Sequence, residues 1–169
     1  MTINYIFILL PLIVSNTLHM LIVKKDLFSF LSYTISEDFF GANKTWRGFI
    51  LVPLLNAFCM GLLFLIYPKF SFSPVLLCGA LLGFAYVLSE LPNSYIKRKM
   101  GITAGTISEK NKLLFLFMDK TDSSLGVSLL AAYLFKFSFI QVLILLLLSI
   151  STHVFFSWYL VVIGVKKSF

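Results

Sequence analysis

"FGANKTWRGFILVPLLNAFCMGLLFLI", residues 40–66, changes character at Gly48. Before it, Lys44, Thr45, Trp46 and Arg47 are packed between Gly41 and Gly48; after it, no charged residue occurs until Lys69. A helix crosses the hydrocarbon core of a bilayer with about 20 apolar residues, and 48–67 supplies them. Composition extends this reading to the whole chain. Of 169 residues, 59% are hydrophobic and only 12% charged, with a mean hydropathy of +0.96. That balance excludes a water-soluble domain with an ordinary charged surface. The expected fold is a single all-α membrane domain over residues 1–169. Five transmembrane helices are expected near 3–23, 48–67, 74–96, 121–135 and 138–164, the fourth short and beginning at acidic residues.

Lys and Arg accumulate in cytoplasmic loops, so the basic residues predict the orientation. Lys24, Lys25, Lys44 and Arg47 fall in a loop over 24–47, and Lys97, Arg98, Lys99, Lys110, Lys112 and Lys120 in a loop over 97–120. Lys166 and Lys167 follow the last span, and only Lys69 and Lys136 lie opposite. The N-terminus is therefore expected outside and the C-terminus in the cytoplasm, in the cell membrane. A net charge of +7 would then face anionic headgroups and nucleotides. The basic loops are short and membrane-bound, which argues against nucleic acid. The first span has no basic segment before it, so it reads as a retained anchor rather than a cleaved signal peptide. Cys59 and Cys78 lie in apolar runs as packing residues, with no disulfide or metal-type spacing. A homo-oligomer is left open.

Three polar groups could carry chemistry. In "SELPNSYIKRKMGI", residues 89–102, Glu90, Asn93, Ser94 and Lys97 recur at helical spacing and share a face beside Pro92. The bland alternative is a positive-inside cluster of Lys97, Arg98 and Lys99 that pairs with Glu90. A carboxylate in a spanning helix costs about 2.5–3.5 kcal/mol on insertion scales, which favours a functional role. In "FMDKTDSSLG", residues 117–126, Asp119 and Asp122 are three apart at the expected start of the fourth span. Two converging carboxylates without His or Cys suit a hard, oxygen-seeking cation, Mg²⁺ above all; helix capping is the alternative. In "FGANKTWRGF", the glycines of a P-loop are missing, but Lys44 and Arg47 flank an expected helix start near Gly48, where amides favour anions. Trp46 fits an interface anchor as well as a site residue. Asn16, His19 and His153 are intramembrane polar residues, more often interhelical hydrogen-bond partners than ligands.

Taken in order, "GANKTWRGF", "GALLG…SELPNSYIKRKMGI" and "MDKTDSSLG" resemble the CDP-archaeol synthase family, small membrane cytidylyltransferases related to the phosphatidate cytidylyltransferases. The family pattern G-K-T-W-R-G-F, S-x-I-K-R and D-x-x-D falls here on Lys44 to Phe49, Ser94 to Arg98, and Asp119 with Asp122. The chain departs from it at Asn43, in place of Gly, and at Phe84, in place of an acidic residue that Glu90 could replace. The K-D and H-G-G segments of the larger phosphatidate enzymes are absent. The resemblance implies transfer of CMP from CTP to a membrane lipid phosphate, giving a CDP-activated lipid and pyrophosphate at a site facing the cytoplasm. It implies Mg²⁺ on Asp119, Asp122 and Glu90, with Lys97 and Arg98 beside them in catalysis. Lys44, Thr45, Trp46, Arg47, Asn93 and Ser94 would bind substrate. The alternative from another class is a non-catalytic membrane protein whose basic loops hold anionic lipid.

Overall fold

The structure is a computed structural model and describes residues 5–67, 72–106 and 112–165. Lys69, Lys110, Lys166 and Lys167, used above to orient the chain, lie outside the described residues. Among the described residues there are six α-helices: α1 Ile6–Lys24, α2 Glu37–Phe40, α3 Trp46–Ile66, α4 Phe72–Lys99, α5 Lys112–Phe135 and α6 Phe139–Val162. A single 3-10 turn, Ser29–Leu31, precedes α2. Among the described residues no strand forms, and one isolated antiparallel bridge joins Thr34 to Thr45.

Among the described residues four helices, α1, α3, α4 and α6, are long and apolar enough to cross a membrane. The fifth expected span is different. The apolar run Leu113–Met118 carries α5 back to Lys112, so the helix is 24 residues long and includes much of what was expected to be loop. Its first half holds Lys112, Asp119, Lys120 and Asp122, which keeps α5 outside the set of four. Asp119 and Asp122 consequently lie in the helix interior, not at its start, and capping no longer accounts for them. The start of α3 also shifts: Thr45 is the N-cap and Trp46 the first helical residue, so Arg47 belongs to the first turn rather than the loop.

Packing follows small residues. Gly79 and Gly83 are one turn apart on α4, and a Cβ on them would sit 2.8 Å from Ala57 Cα and 2.7 Å from Pro53 Cα. Only glycine allows α3 and α4 to approach this closely, the usual device for membrane helices that gain no hydrophobic driving force from one another. A Cβ on Gly126 would meet Ser89 Oγ at 1.7 Å, which makes the same kind of seam between α4 and α5. α4 is thus central, with α3 and α5 against it, α1 against α3 and α6 against α5. Asn56 is buried in the α3–α4 seam and donates to the Gly79 carbonyl at 2.6 Å.

The antiparallel helices divide the bundle into two ends. Ile8, Leu9, Leu12, Met60, Val75, Leu82, Val127, Ala131 and Leu145 form an apolar core at one end. At the other end the same helices bury Arg47, Asn93, Lys120, Thr121 and Ser123.

Candidate functional site

The polar end begins on α4. Its helical repeat places Glu90, Asn93 and Lys97 on one face, as expected from spacing, and α5 brings Asp119 and Asp122 against that face. Asn93 is buried, and its Nδ2 donates to Asp119 Oδ1 at 2.7 Å and to Asp122 Oδ2 at 3.0 Å. One amide nitrogen therefore ties the two carboxylates together. Lys97 Nζ donates to both oxygens of Asp119 at 2.6 Å, while its cation also stands over the Phe115 ring at 5.6 Å. Asp122 accepts additionally from the Ser123 amide at 2.6 Å.

Lys44, just ahead of α3, pairs with Glu90. Both side chains are about one quarter exposed, at 24% and 25%, so this pair is neither dry nor fully solvated. Lys44 and Glu90 lie within electrostatic reach of Asp122, and His19 of α1 lies within reach of Glu90, Lys44 and Arg47. The close group of Glu90, Asp119, Asp122, Lys44 and Lys97 has three carboxylates and two ammonium groups. Lys44 answers Glu90 and Lys97 answers Asp119. Among the described residues Asp122 forms no ion pair: it has two neutral donors, with Lys44 only within electrostatic reach, in a half-buried position where an anion is costly without a close cation.

Other expected site residues are placed elsewhere. Ser94 spends its hydroxyl on the Glu90 carbonyl one turn back, at 2.9 Å. Thr45 caps α3 by its backbone, with no side-chain cap bond. Trp46 is 44% exposed and packs edge-on against Phe49. Arg47 is buried and donates from Nη1 to Asp26 Oδ1 at 3.0 Å and to the Leu27 carbonyl at 3.1 Å, so it clamps the loop after α1. Arg98 packs by Gly41, whose φ is +83° and on which a Cβ would lie 3.0 Å from Ala104 Cβ and 3.1 Å from Arg98 Nη1. Arg98 forms no ion pair among the described residues.

One feature escaped the sequence reading, and a second, the hydrogen bond of His153 to another helix, agrees with it. Lys120, expected in a loop, is buried and donates to Ser157 Oγ of α6 at 2.9 Å; starting α5 at the apolar run would have placed it at depth. Tyr86 Oη and His153 Nε2 share a hydrogen bond of 3.3 Å between α4 and α6. They border a cavity of about 30 Å³ with Asn16, Thr17, Ser149 and Thr152, room for a water or two.

A metal ion was expected on Asp119, Asp122 and Glu90. Among the described residues no three His, Cys, Asp or Glu side chains are gathered closely enough to hold one, and Glu90 is paired with Lys44 instead. The pair itself fits a hard cation in part. Its donors are carboxylate oxygens, Asp122 forms no ion pair among the described residues, and the neighbouring Asn93 Oδ1 is buried with no hydrogen bond among them, an oxygen that could serve such an ion.

No family model, curated protein or solved structure matches this chain.

Proposed function

We propose that this chain is a CTP-dependent cytidylyltransferase that converts a membrane lipid phosphate to a CDP-activated lipid with release of pyrophosphate. One observation supports the reading: Asp119 and Asp122 share the Asn93 amide, with Lys97 paired to the first, while the second forms no ion pair among the described residues and has Lys44 only within electrostatic reach. A passive binder of anionic lipid gains nothing from an unanswered carboxylate among its lysines. An enzyme that brings two anions together does.

In the proposed reaction an oxygen of the lipid phosphate attacks the α-phosphorus of CTP. A new P–O–P link forms, the bond to the β-phosphate breaks, and pyrophosphate leaves with that electron pair. Both reactants are anionic, so catalysis is chiefly alignment and charge neutralisation. Asp119 and Asp122 would hold Mg²⁺, which supplies Lewis-acid stabilisation of the phosphate oxygens. Lys44 and Lys97 now neutralise Glu90 and Asp119. They are the cations best placed to turn to phosphate when substrate arrives, and Arg98, which forms no ion pair among the described residues, would add a further donor. Asn93 orients the aspartates. Arg47 acts indirectly here, through the loop it clamps.

The same proposal takes α5 as a fifth span and sets the N-terminus outside, with the polar end facing the cytoplasm. CTP would then reach the site from water while the lipid stays in its leaflet. Purified protein given labelled CTP, Mg²⁺ and a panel of lipid phosphates should form a labelled CDP-lipid. If lipid binds and no CDP-lipid forms with any of the panel, the carrier reading replaces this one.

A further inference from the structure

The segment between α1 and α2 is apolar where a loop should be polar. Leu27, Phe28, Phe30 and Tyr33 are exposed, Phe30 and Tyr33 to 69% and 75%, and Trp46 is exposed close by. Contiguous exposed apolar surface marks a contact site. This one is held in position rather than free. Arg47 fastens Asp26 and the Leu27 carbonyl to the first turn of α3. The Thr34–Thr45 bridge closes the far end, with Ile35 N donating to the Lys44 carbonyl at 2.8 Å and Trp46 N to the Tyr33 carbonyl at 2.9 Å. Asp26 and Phe28 adopt φ of +49° and +55°, a left-handed conformation uncommon for any residue with a side chain and an outlier for a bulky one.

The level of the loop decides what covers it. It joins the end of α1 to the start of α3, two helices long and apolar enough to cross a membrane, so it lies where their lipid-facing surfaces stop. Lys24 and Lys25 are exposed at its base, which suits an anionic leaflet. Aromatic side chains at the ends of spanning helices favour the headgroup level.

We propose that residues 27–33, with Trp46, form a bilayer anchor seated at the headgroup and upper acyl level of the leaflet at the Lys24 end of the bundle. Because the same bonds moor the loop to residues 44–47, the lipid surface becomes one of the supports that hold Lys44 beside Glu90. The inference does not depend on the reaction proposed above.

The test uses the full chain in vesicles of phosphatidylcholine and phosphatidylglycerol. Phe30→Trp and, separately, Tyr33→Trp are made in a Trp46→Phe, Trp158→Phe background, so that two independent reporters guard against one folding failure. Seating predicts blue-shifted emission, loss of most of it to lipids brominated near the headgroup, and weak quenching by acrylamide. Reporters quenched by acrylamide and untouched by brominated lipid would overturn the anchor; reporters shielded from both would show a protein partner there instead and overturn it equally. For the mooring, Phe30→Asp with Tyr33→Asp should speed amine modification at Lys44, read by mass spectrometry. An unchanged rate would remove the coupling to Lys44.

Discussion

The two ends of this bundle are built from the same helices and follow opposite rules. At the apolar end, Leu82, Val127, Ala131 and Leu145 are fully buried, and the buried polar residues on neighbouring turns, Asn56 and Ser128, are uncharged. At the polar end, α4 and α5 turn Asn93, Lys97, Asp119 and Asp122 toward one another. Packing alone explains the first. The second carries an unanswered carboxylate that a purely structural design would replace with an apolar side chain. Strain and charge that stability does not need are usually retained where function needs them. The apolar end should therefore govern folding, and the polar end turnover.

The largest effect should break both ends together. Gly126→Leu places side-chain atoms where Ser89 already stands, prises α5 from α4, and should abolish recovery of folded protein from membranes, as read by size-exclusion chromatography in detergent. Normal recovery would mean that the α4–α5 seam is not a close one. Leu82→Ala sharpens the contrast. Removing a fully buried side chain should cost about 2–5 kcal/mol in cavity terms, lowering the unfolding midpoint, while the surviving folded fraction keeps its turnover. A specific loss of turnover there would blur the division. Lys44→Ala should have the smallest effect, raising the KM for CTP by about tenfold before the Mg²⁺ dependence alters. The reverse order would place Lys44 with the metal rather than with the nucleotide.

The four strongest spans were legible because charge-free runs of sufficient length have few other solutions in a chain this apolar. α5 was harder. Asp119 and Asp122 face α4 and Lys120 meets Ser157 of α6, while Leu113, Leu114 and Phe117 are exposed, and a reading by charge density mistakes such a helix for a loop. The stripe of Glu90, Asn93 and Lys97 followed from helical spacing, as did the aspartate pair. Spacing fixes the face of a helix, not the partner of a side chain. Ser94 lies near the same face and bonds its own backbone, and Arg47, which reads as a phosphate clamp, holds Asp26 instead. "GALLG" carried part of the family resemblance, yet Gly79 and Gly83 serve here to let α3 approach α4. Pairings between residues far apart in sequence, such as Lys44 with Glu90 or Lys120 with Ser157, leave no periodic trace.

The polar end is tested most directly by Asp122→Asn beside the wild-type chain, both in the same bilayer with labelled CTP, Mg²⁺ and lipid phosphates, with thermal unfolding followed in parallel. The wild type should form CDP-lipid, and the variant should lose about 100-fold or more of that rate. Its unfolding midpoint should be unchanged or higher, because a carboxylate without a basic partner has been removed. A variant that turns over near the wild-type rate would contradict the account.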